Sequence, residues 1–159
     1  MTKSKYHEVG FNKRANYDYE ILEKFEAGIV LLGSEVKSLR NHRVSLGESY
    51  AGLSKNSEVF LYQMHIPEYK LAHRANHAPT RNRKLLLHRR QITRLIGQLK
   101  RGGYSLVPIS IYFNEQGFVK VSIGLGKGKK TVDKRETIKR REWDRQKNRI
   151  LKKTVRKLS

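Results

Sequence analysis

The chain has 159 residues, with 35 Lys and Arg against 14 Asp and Glu, and a formal net charge of +21 at pH 7. This length suits one domain with a tail better than two domains. The charge favours a polyanionic partner, with nucleic acid ahead of an anionic membrane surface and of a merely solvated basic protein. The chain has no cysteine, which excludes disulfides and thiolate metal sites.

Targeting signals are missing from the sequence. No apolar run approaches the ~20 residues of a membrane-spanning helix. The basic residues near the start are not followed by the apolar stretch of a signal peptide. We therefore expect a cytoplasmic protein.

The first third of the chain predicts strands after a polar start. Residues 1–16 contain almost no apolar side chain, and we expect a flexible basic N-terminus there. Residues 19–25 and the apolar run 28–32 are typical of two strands. Residues 34–40 then predict a short helix, which Ser34 can cap.

Two hairpins follow from alternating apolar runs around turn residues. The first pairs residues 49–53 with 58–62, and the second pairs 104–113 with 117–125. Between them, residues 89–101 carry the apolar stripe of an amphipathic helix, which the two glycines after it end. Its members are Ile92, Leu95, Ile96 and Leu99. About six strands and two or three short helices predict a mainly β protein, a small OB-like closed β-barrel.

The C-terminal segment is a basic arm. Residues 129–159 carry 14 Lys and Arg against 4 Asp and Glu, a net charge of +10. Residues 133–157 contain good helix formers without Pro or Gly, but their apolar positions are too sparse to offset the ordering entropy alone. We predict an arm that is disordered in the free protein and helical on a partner. The predicted division is a flexible N-terminus at 1–16, the barrel at 17–127 and the tail at 128–159.

Enzymatic motifs are weak. The glycine-rich segment 124–130 has neither the Ser or Thr of a Walker loop nor the βαβ unit of a dinucleotide site. We interpret it as a flexible basic hinge whose Lys127, Lys129 and Lys130 can touch RNA phosphates. Carboxylates that could pair in space are better explained as solvated strand positions; these are Glu20, Glu23, Glu26 and Glu35.

The sequence also predicts neither a metal site nor a cofactor. His73 and His77 are four residues apart, but no carboxylate joins them in a known metal spacing. We interpret both as loop histidines.

Binding features are stronger. Residues 81–90 place basic side chains, Lys84 among them, around three leucines that we predict to be core. Six tyrosines offer faces on which bases can stack, although most are expected to pack inside. They are Tyr17, Tyr19, Tyr62, Tyr69, Tyr104 and Tyr112. Basic residues of the arm would surround a helix on all sides, which suits a channel lined by phosphates; they are Lys139, Arg140, Arg141, Arg145, Lys147 and Arg149.

Six short blocks stand in a distinctive order and spacing. They read N-K-R-A at 12–15, F-E-A-G at 25–28, G-S-E-V-K-S-L-R at 33–40, R-K-L-L-L at 83–87, G-K-K at 128–130 and D-K-R at 133–135. In this order the chain resembles the SsrA-binding protein family, also called small protein B, of bacterial trans-translation. The resemblance runs from about residue 12 to the end.

The resemblance implies an OB-like barrel with a tail and no enzymatic activity. It implies binding to the tRNA-like domain of transfer-messenger RNA and its delivery to stalled ribosomes. The tail would enter the empty message channel of the small subunit near the decoding site and form a helix there. A monomer without membrane partners is expected.

Residue roles follow from the same resemblance. In the body it implies RNA contacts by Glu26, Leu86, His88 and Lys120. In the arm it implies ribosome contacts by Asp133, Lys134, Arg135, Ile138, Lys139, Arg141, Trp143, Arg145, Ile150 and Leu151. Val132 departs from the family, where an aromatic residue or His is common before the D-K-R block, so no stacking contact is assigned to it.

Three other functional hypotheses are open for the same residues. They are a generic basic RNA-coating protein, an enzyme acting on RNA, and a membrane-surface protein that uses the arm. The weak apolar stripe of the arm argues against the last.

Overall fold

The computed structural model describes residues 6–41, 43–72 and 75–158, and only the backbone of residues 157 and 158. Contacts within the chain divide it into two units, residues 1–128 and 129–159. We call the described part of the first unit the body and that of the second the arm, and describe each by itself.

Seven strands and three short helices form the described body. The strands are β1 (His7–Phe11), β2 (Tyr19–Ile29), β3 (Tyr50–Leu53), β4 (Val59–Tyr62), β5 (Arg83–Leu86), β6 (Tyr104–Phe113) and β7 (Val119–Gly128). The helices are α1 (Ala15–Asp18), α2 (Gly33–Asn41) and α3 (Arg89–Lys100). The arm is a single helix, α4 (Thr131–Leu158).

All strand pairs of the body are antiparallel. Their order is β1-β6-β3-β4-β5-β2-β7, and β6 also pairs with β7. Six strands therefore form a continuous circuit of pairings that starts and ends at β6, while β1 pairs on the outside with β6 alone. Inward-facing apolar side chains of this circuit pack with α2 and α3 into one core. Fully buried members include Leu39, Leu46, Leu61, Met64, Ile66, Leu95, Ile111 and Ile123.

Both predicted hairpins are confirmed, as are the two predicted helices. The strand pairs β3–β4 and β6–β7 occupy the expected positions, and α3 buries Leu95 of the predicted stripe completely. The cap of α2 differs from the prediction. Glu35 rather than Ser34 satisfies a backbone donor at the start, because Leu32 N–H donates to its Oε2 at 2.9 Å.

The N-terminus and the start of β2 also differ from prediction. Residues 7–16 belong to the folded body: β1 pairs with β6, Val9 is buried, and Asn12 donates to the Pro108 carbonyl at 3.0 Å. The two strands expected at 19–25 and 28–32 are one strand, β2. Gly28 does not interrupt it, because it is paired with β7 on one side and β5 on the other.

Strand β5 was missed, and its leucines are not all core. In a strand successive side chains point to opposite faces, so Leu85 is buried while Leu86 is 50% exposed. Leu87 is half-buried. The prediction that all three leucines are core is therefore wrong for Leu86.

The predicted hinge at 124–130 is wrong for its first five residues, which belong to β7. Gly124 and Gly126 are buried there against the side chain of Ile21. A Cβ atom at Gly124 would stand 2.9 Å from Ile21 Cγ2. These glycines therefore allow close packing between β7 and β2 and do not provide a flexible loop.

Candidate nucleic-acid interface

The register of the sheet brings three of the predicted RNA-binding residues to one outer face. Gly28 on β2 is paired with Lys120 on β7 and with Leu86 on β5. Neighbouring strands lie about 4.8 Å apart, so Lys120 and Leu86 flank Gly28 across about 10 Å. Glu26, two residues before Gly28, points to the same face because side chains alternate along a strand. We call Glu26, Gly28, Leu86 and Lys120 the β2 patch.

Glu26 of the β2 patch is held in place by Tyr112. The Tyr112 hydroxyl donates a hydrogen bond to Glu26 Oε2, and Tyr112 is paired with Lys120 across β6 and β7. Burial, then the hydrogen bond and the charge of Glu26, raises the pKa of Tyr112. Tyr112 therefore remains a donor at physiological pH, and the exposed Glu26 carboxylate keeps lone pairs that can accept from base amines or sugar hydroxyls.

Lys84 and His88 border the patch along β5. Lys84 Nζ donates to Glu58 Oε1 at 2.5 Å, and both side chains are about 40% exposed. An exposed ion pair of this kind contributes little stability, so a phosphate can compete for Lys84. His88 is exposed at the N-cap of α3, where its N–H donates to Gln91 Oε1 at 3.1 Å.

The remaining basic residues predicted to contact RNA are not part of the β2 patch. Lys127 lies seven residues from Lys120 on β7, about 20 Å away along the strand, with its Nζ 4.9 Å from the ring centre of Tyr104. In the arm, Lys129 Nζ donates to Thr137 Oγ1 at 3.1 Å, and Lys130 is exposed.

The predicted ribosome-binding residues lie on α4 and are exposed, except for the half-buried Lys134. Large apolar side chains are among them: Trp143 is 67% exposed and Ile150 is 65% exposed. Val132 is exposed to a similar degree. At 100° per residue, Val132, Trp143 and Ile150 fall within about 20° of one another, on the same side of the helix as Lys139.

Three of the four glutamates that were considered for a pair in space have separate neighbours in the described structure. Glu23 pairs with Arg94 at 3.0 Å, Glu26 accepts from Tyr112, and Glu20 lies opposite Lys127 in the β2–β7 register. Each of these groups lies beside its own basic or hydroxyl neighbour.

Glu35 was predicted as a solvated strand position, and this is wrong: it lies on α2, is fully buried and is the centre of a polar cluster. Arg83 Nε donates to its Oε1 at 2.8 Å, Arg81 Nη2 donates to its Oε2 at 2.8 Å, and Glu35 and Arg83 are both 0% exposed. Arg83 also donates to the carbonyls of Met64 and Pro79. The cluster thus ties β5 and the long segment 63–82 to the start of α2.

The protonation of Glu35 follows from these partners. Burial by itself would raise the pKa of Glu35. Hydrogen bonds from Arg81, the Leu32 backbone and Arg83, with the charge of Arg83, outweigh burial and lower that pKa below its ordinary value. Glu35 therefore stays charged and acts as an acceptor for the two arginines.

His77 belongs to the same region and is used structurally. Its Nε2–H donates to the Ile66 carbonyl at 3.0 Å, and its Nδ1 contacts Ser34 Oγ at 3.0 Å. His73 lies outside the described residues. Among the residues that are described, no group of three His, Asp or Glu side chains is placed to hold a metal ion.

Two residues of this surface were missed as site residues. Tyr112 was predicted only as one of six aromatic residues on which bases can stack. Phe118, which directly precedes β7, was not singled out. Phe118 is 63% exposed. An exposed phenylalanine next to a turn is a weak signal in a sequence, and the contact of Tyr112 with Glu26 spans 86 positions.

Comparison with known proteins identifies the family. A sequence model of the SmpB protein family matches residues 9–153. The chain belongs to the SmpB protein family. SmpB relatives include the SsrA-binding protein of Wolbachia pipientis wMel, 56% identical over 144 residues, which are 91% of this chain and 96% of the relative. The SsrA-binding protein of Rhizobium meliloti (strain 1021) is 52% identical over 144 residues, 91% of this chain and 90% of the relative.

A solved structure gives the same result for the SmpB fold. It is described as "tmRNA-SmpB: a journey to the center of the bacterial ribosome" and is 46% identical, with a TM-score of 0.63. The match covers 80% of this chain and 87% of the solved chain. In the described parts of the chain, no helix is both long and apolar enough to cross a membrane.

Proposed function

We propose that this SmpB family member binds the tRNA-like domain of transfer-messenger RNA and delivers it to stalled ribosomes for trans-translation. The observation that carries the proposal is the β2 patch. A register of three strands brings Glu26, Leu86 and Lys120, which are far apart in sequence, to one outer face around Gly28. The SsrA-binding relatives and the solved tmRNA–SmpB structure support it.

The body is the RNA-holding part of this proposal. We interpret its circuit of six paired strands as a small OB-like closed barrel, extended beyond the predicted limits 17–127 by the added strand β1. Lys120, Lys84 and Lys127 contact phosphates, Glu26 accepts hydrogen bonds from the RNA, and Leu86 and His88 contact bases or sugars. The exposure of these side chains and the positive charge of the chain support these roles.

The arm, which lies within the predicted tail 128–159, contacts the ribosome. It enters the empty message channel of the small subunit beyond the decoding site, and its helix is ordered by that contact. Lys129 and Lys130 contact phosphates of the transfer-messenger RNA, whereas the D-K-R block begins the contact with the ribosome and Trp143 stacks on a base of ribosomal RNA. Its exposed apolar side chains support this, because they have little to pack against within the helix itself.

This role requires neither catalysis nor a cofactor. The protein acts in the cytoplasm as a monomeric RNA adaptor, and its chemistry is positioning. The separate partners of Glu23, Glu26 and Glu35 support a binding protein over an RNA-cleaving enzyme.

The test is binding of the purified protein to the tRNA-like domain at near-physiological salt, with excess ordinary tRNA as competitor. We expect tight binding that survives the competitor. Binding that the competitor removes would mean that charge acts alone, since phosphate contacts are not specific for sequence, and would favour a generic RNA-coating protein. Turnover of labelled RNA would instead favour an enzyme acting on RNA. Flotation with anionic liposomes would favour a membrane-surface protein.

A further inference from the structure

An open groove of about 300 Å³ adjoins the β2 patch. Its lining includes Gly28, Leu31, Val36, Leu86, Phe118 and Lys120. Gly28, Leu86 and Lys120 belong to the β2 patch, and Lys120 is the one charged residue of the lining, while the rest of the wall is apolar and has no assigned role.

Two large apolar side chains of this groove are exposed to solvent. Phe118 is 63% exposed and Leu86 is 50% exposed. Single exposed apolar residues are ordinary, but two that line the same groove together with a lysine are typical of a binding surface. The Phe118 ring offers a π-face, the feature on which nucleobases stack.

The backbone presents Phe118 from a rigid turn. Phe118 N–H donates to Asn114 Oδ1 at 2.9 Å, and Asn114 N–H donates to the Phe118 carbonyl at 2.9 Å. Gly117 allows the turn because its φ is +82°. A ring held in this way loses less conformational freedom when a ligand binds than a ring on a mobile loop.

Gly28 keeps the floor of the groove open. A Cβ atom at this position would stand 3.3 Å from Leu86 Cβ and 3.6 Å from Leu86 Cδ1. The φ of Gly28 is not in the left-handed region, so its backbone does not require glycine. Glycine at this position therefore leaves the space above it free of a side chain.

We propose that this groove receives one unpaired nucleobase of the bound RNA, stacked on Phe118 and resting on Leu86, with its phosphate near Lys120. The inference rests on the proposed function and adds a base-reading subsite to it. An apolar protein segment would also fit the walls, but residues 1–128 carry 21 Lys and Arg against 10 Asp and Glu. That charge and the continuity with the β2 patch favour a polyanion.

The experiment compares four full-length variants in binding to the tRNA-like domain of transfer-messenger RNA. Stacking of a base on an aromatic ring implies a loss of about 5- to 150-fold in affinity for Phe118→Ala, with most of it also in Phe118→Leu. Phe118→Tyr keeps the aromatic ring, so its affinity for the tRNA-like domain should stay within about twofold of the wild type. Gly28→Ala, which narrows the floor, should weaken binding while the melting temperature stays nearly unchanged.

Phe11→Leu is the matched control, because Phe11 is 45% exposed and lies on β1, outside the groove. Dimethyl sulfate and 2′-hydroxyl probing at saturating protein should show one unpaired nucleotide protected by the wild type and by Phe118→Tyr, but reactive with Phe118→Leu.

Equal affinities and equal footprints for the wild type and Phe118→Leu would overturn the subsite and leave the proposed function intact. Weak wild-type binding in the presence of competitor tRNA would reject the proposed function itself. If Phe118→Leu bound the RNA normally but lost association with ribosomes free of transfer-messenger RNA, the groove would serve a different partner and the inference would be wrong.

Discussion

The body and the arm stabilise their structures in opposite ways. In the body even the charged side chains of Glu35 and Arg83 are fully buried and bonded to each other, and none of the buried side-chain N and O atoms in the described residues lacks a hydrogen-bond partner. In the arm, Trp143 and Ile150 are two-thirds exposed. The body therefore carries its own core, whereas the helix of the arm depends on local interactions.

Those local interactions are individually weak. Thr137 Oγ1 donates to the Asp133 carbonyl, Lys129 Nζ donates to Thr137 Oγ1, and Thr154 Oγ1 donates to the Ile150 carbonyl. Spacings of three and four residues between acidic and basic side chains add only about 0.2–0.5 kcal/mol each. We therefore expect such a helix to gain most of its order from a partner, which could pack against the exposed Val132, Trp143 and Ile150.

Removal of the arm is expected to have the largest effect. Deletion of residues 133–159 should abolish peptide tagging on stalled ribosomes and leave binding to the tRNA-like domain near normal, because the β2 patch lies within the body. The measurement is tagging in a reconstituted translation system, beside equilibrium RNA binding. Loss of RNA binding in the deletion variant would show that the two functions are not divided between body and arm.

Removal of the buried charge of Glu35 should have the largest effect on stability. Glu35→Gln leaves Arg83 buried and poorly compensated, which implies a loss of about 3–5 kcal/mol in the free energy of unfolding. Urea unfolding of the full-length protein checks this. The matched control is Glu23→Gln, which breaks the exposed pair with Arg94 and should cost about 0–1 kcal/mol.

The stability difference between the wild type and Glu35→Gln should depend on pH. The pKa of Glu35 is lowered in the folded protein, so its stabilisation is present above the ordinary carboxyl pKa and is lost as pH falls through the lowered value. Wild type and Glu35→Gln should therefore approach each other in stability at acidic pH. A constant difference between them from pH 7 to about pH 3, across the usual carboxyl range, would contradict the role of the carboxylate charge.

Much of the body could be predicted because its signals are local. The stripe that places Leu95 inward on α3 and the turn between β6 and β7 lie within short windows of sequence. Strand β5 could not be predicted in this way. Its Arg83 looks like a surface charge, and its burial depends on Glu35, 48 positions away. Strand β1 was missed for the same reason, because β6, which pairs with it, lies about 100 residues further along.

The residues of the candidate site also fall into those that the sequence predicted and those that only the structure shows. Glu26, Leu86 and Lys120 were predicted from the resemblance of short blocks, and the structure adds that a shared register gathers them around Gly28. Tyr112 and Phe118 carry no comparable block. Their positions beside the β2 patch follow from strand pairing and from a turn geometry that a linear sequence does not display.

Hydrogen exchange sharpens the comparison of the two regions. Amides of residues 131–158 in the free protein should exchange far faster than those of β6 and β7, since the latter are in paired strands surrounded by core. On a ribosome with an empty message channel, the exchange rate of the arm amides should fall by at least about tenfold, because a segment that folds on binding protects its amides. Equal protection of arm and body in the free protein would contradict an arm that is ordered by its partner.

The smallest expected effect concerns the surface of the body. Tyr112→Phe removes the hydroxyl that donates to Glu26, while the ring keeps its packing. A hydrogen bond to a charged group contributes about 1.5 kcal/mol or more when buried, and partial exposure of this one reduces that, so we expect a loss of only a few-fold in RNA affinity.

Competition binding with the tRNA-like domain measures the loss, and Tyr50→Phe, at a tyrosine on β3 that is 54% exposed, provides the matched control. If Tyr112→Phe lowered the melting temperature by several degrees but left RNA affinity unchanged, the hydroxyl would serve the fold alone. An affinity loss at unchanged melting temperature would instead show that the Tyr112 hydroxyl positions Glu26 for RNA, so that the body orders its binding surface before RNA arrives.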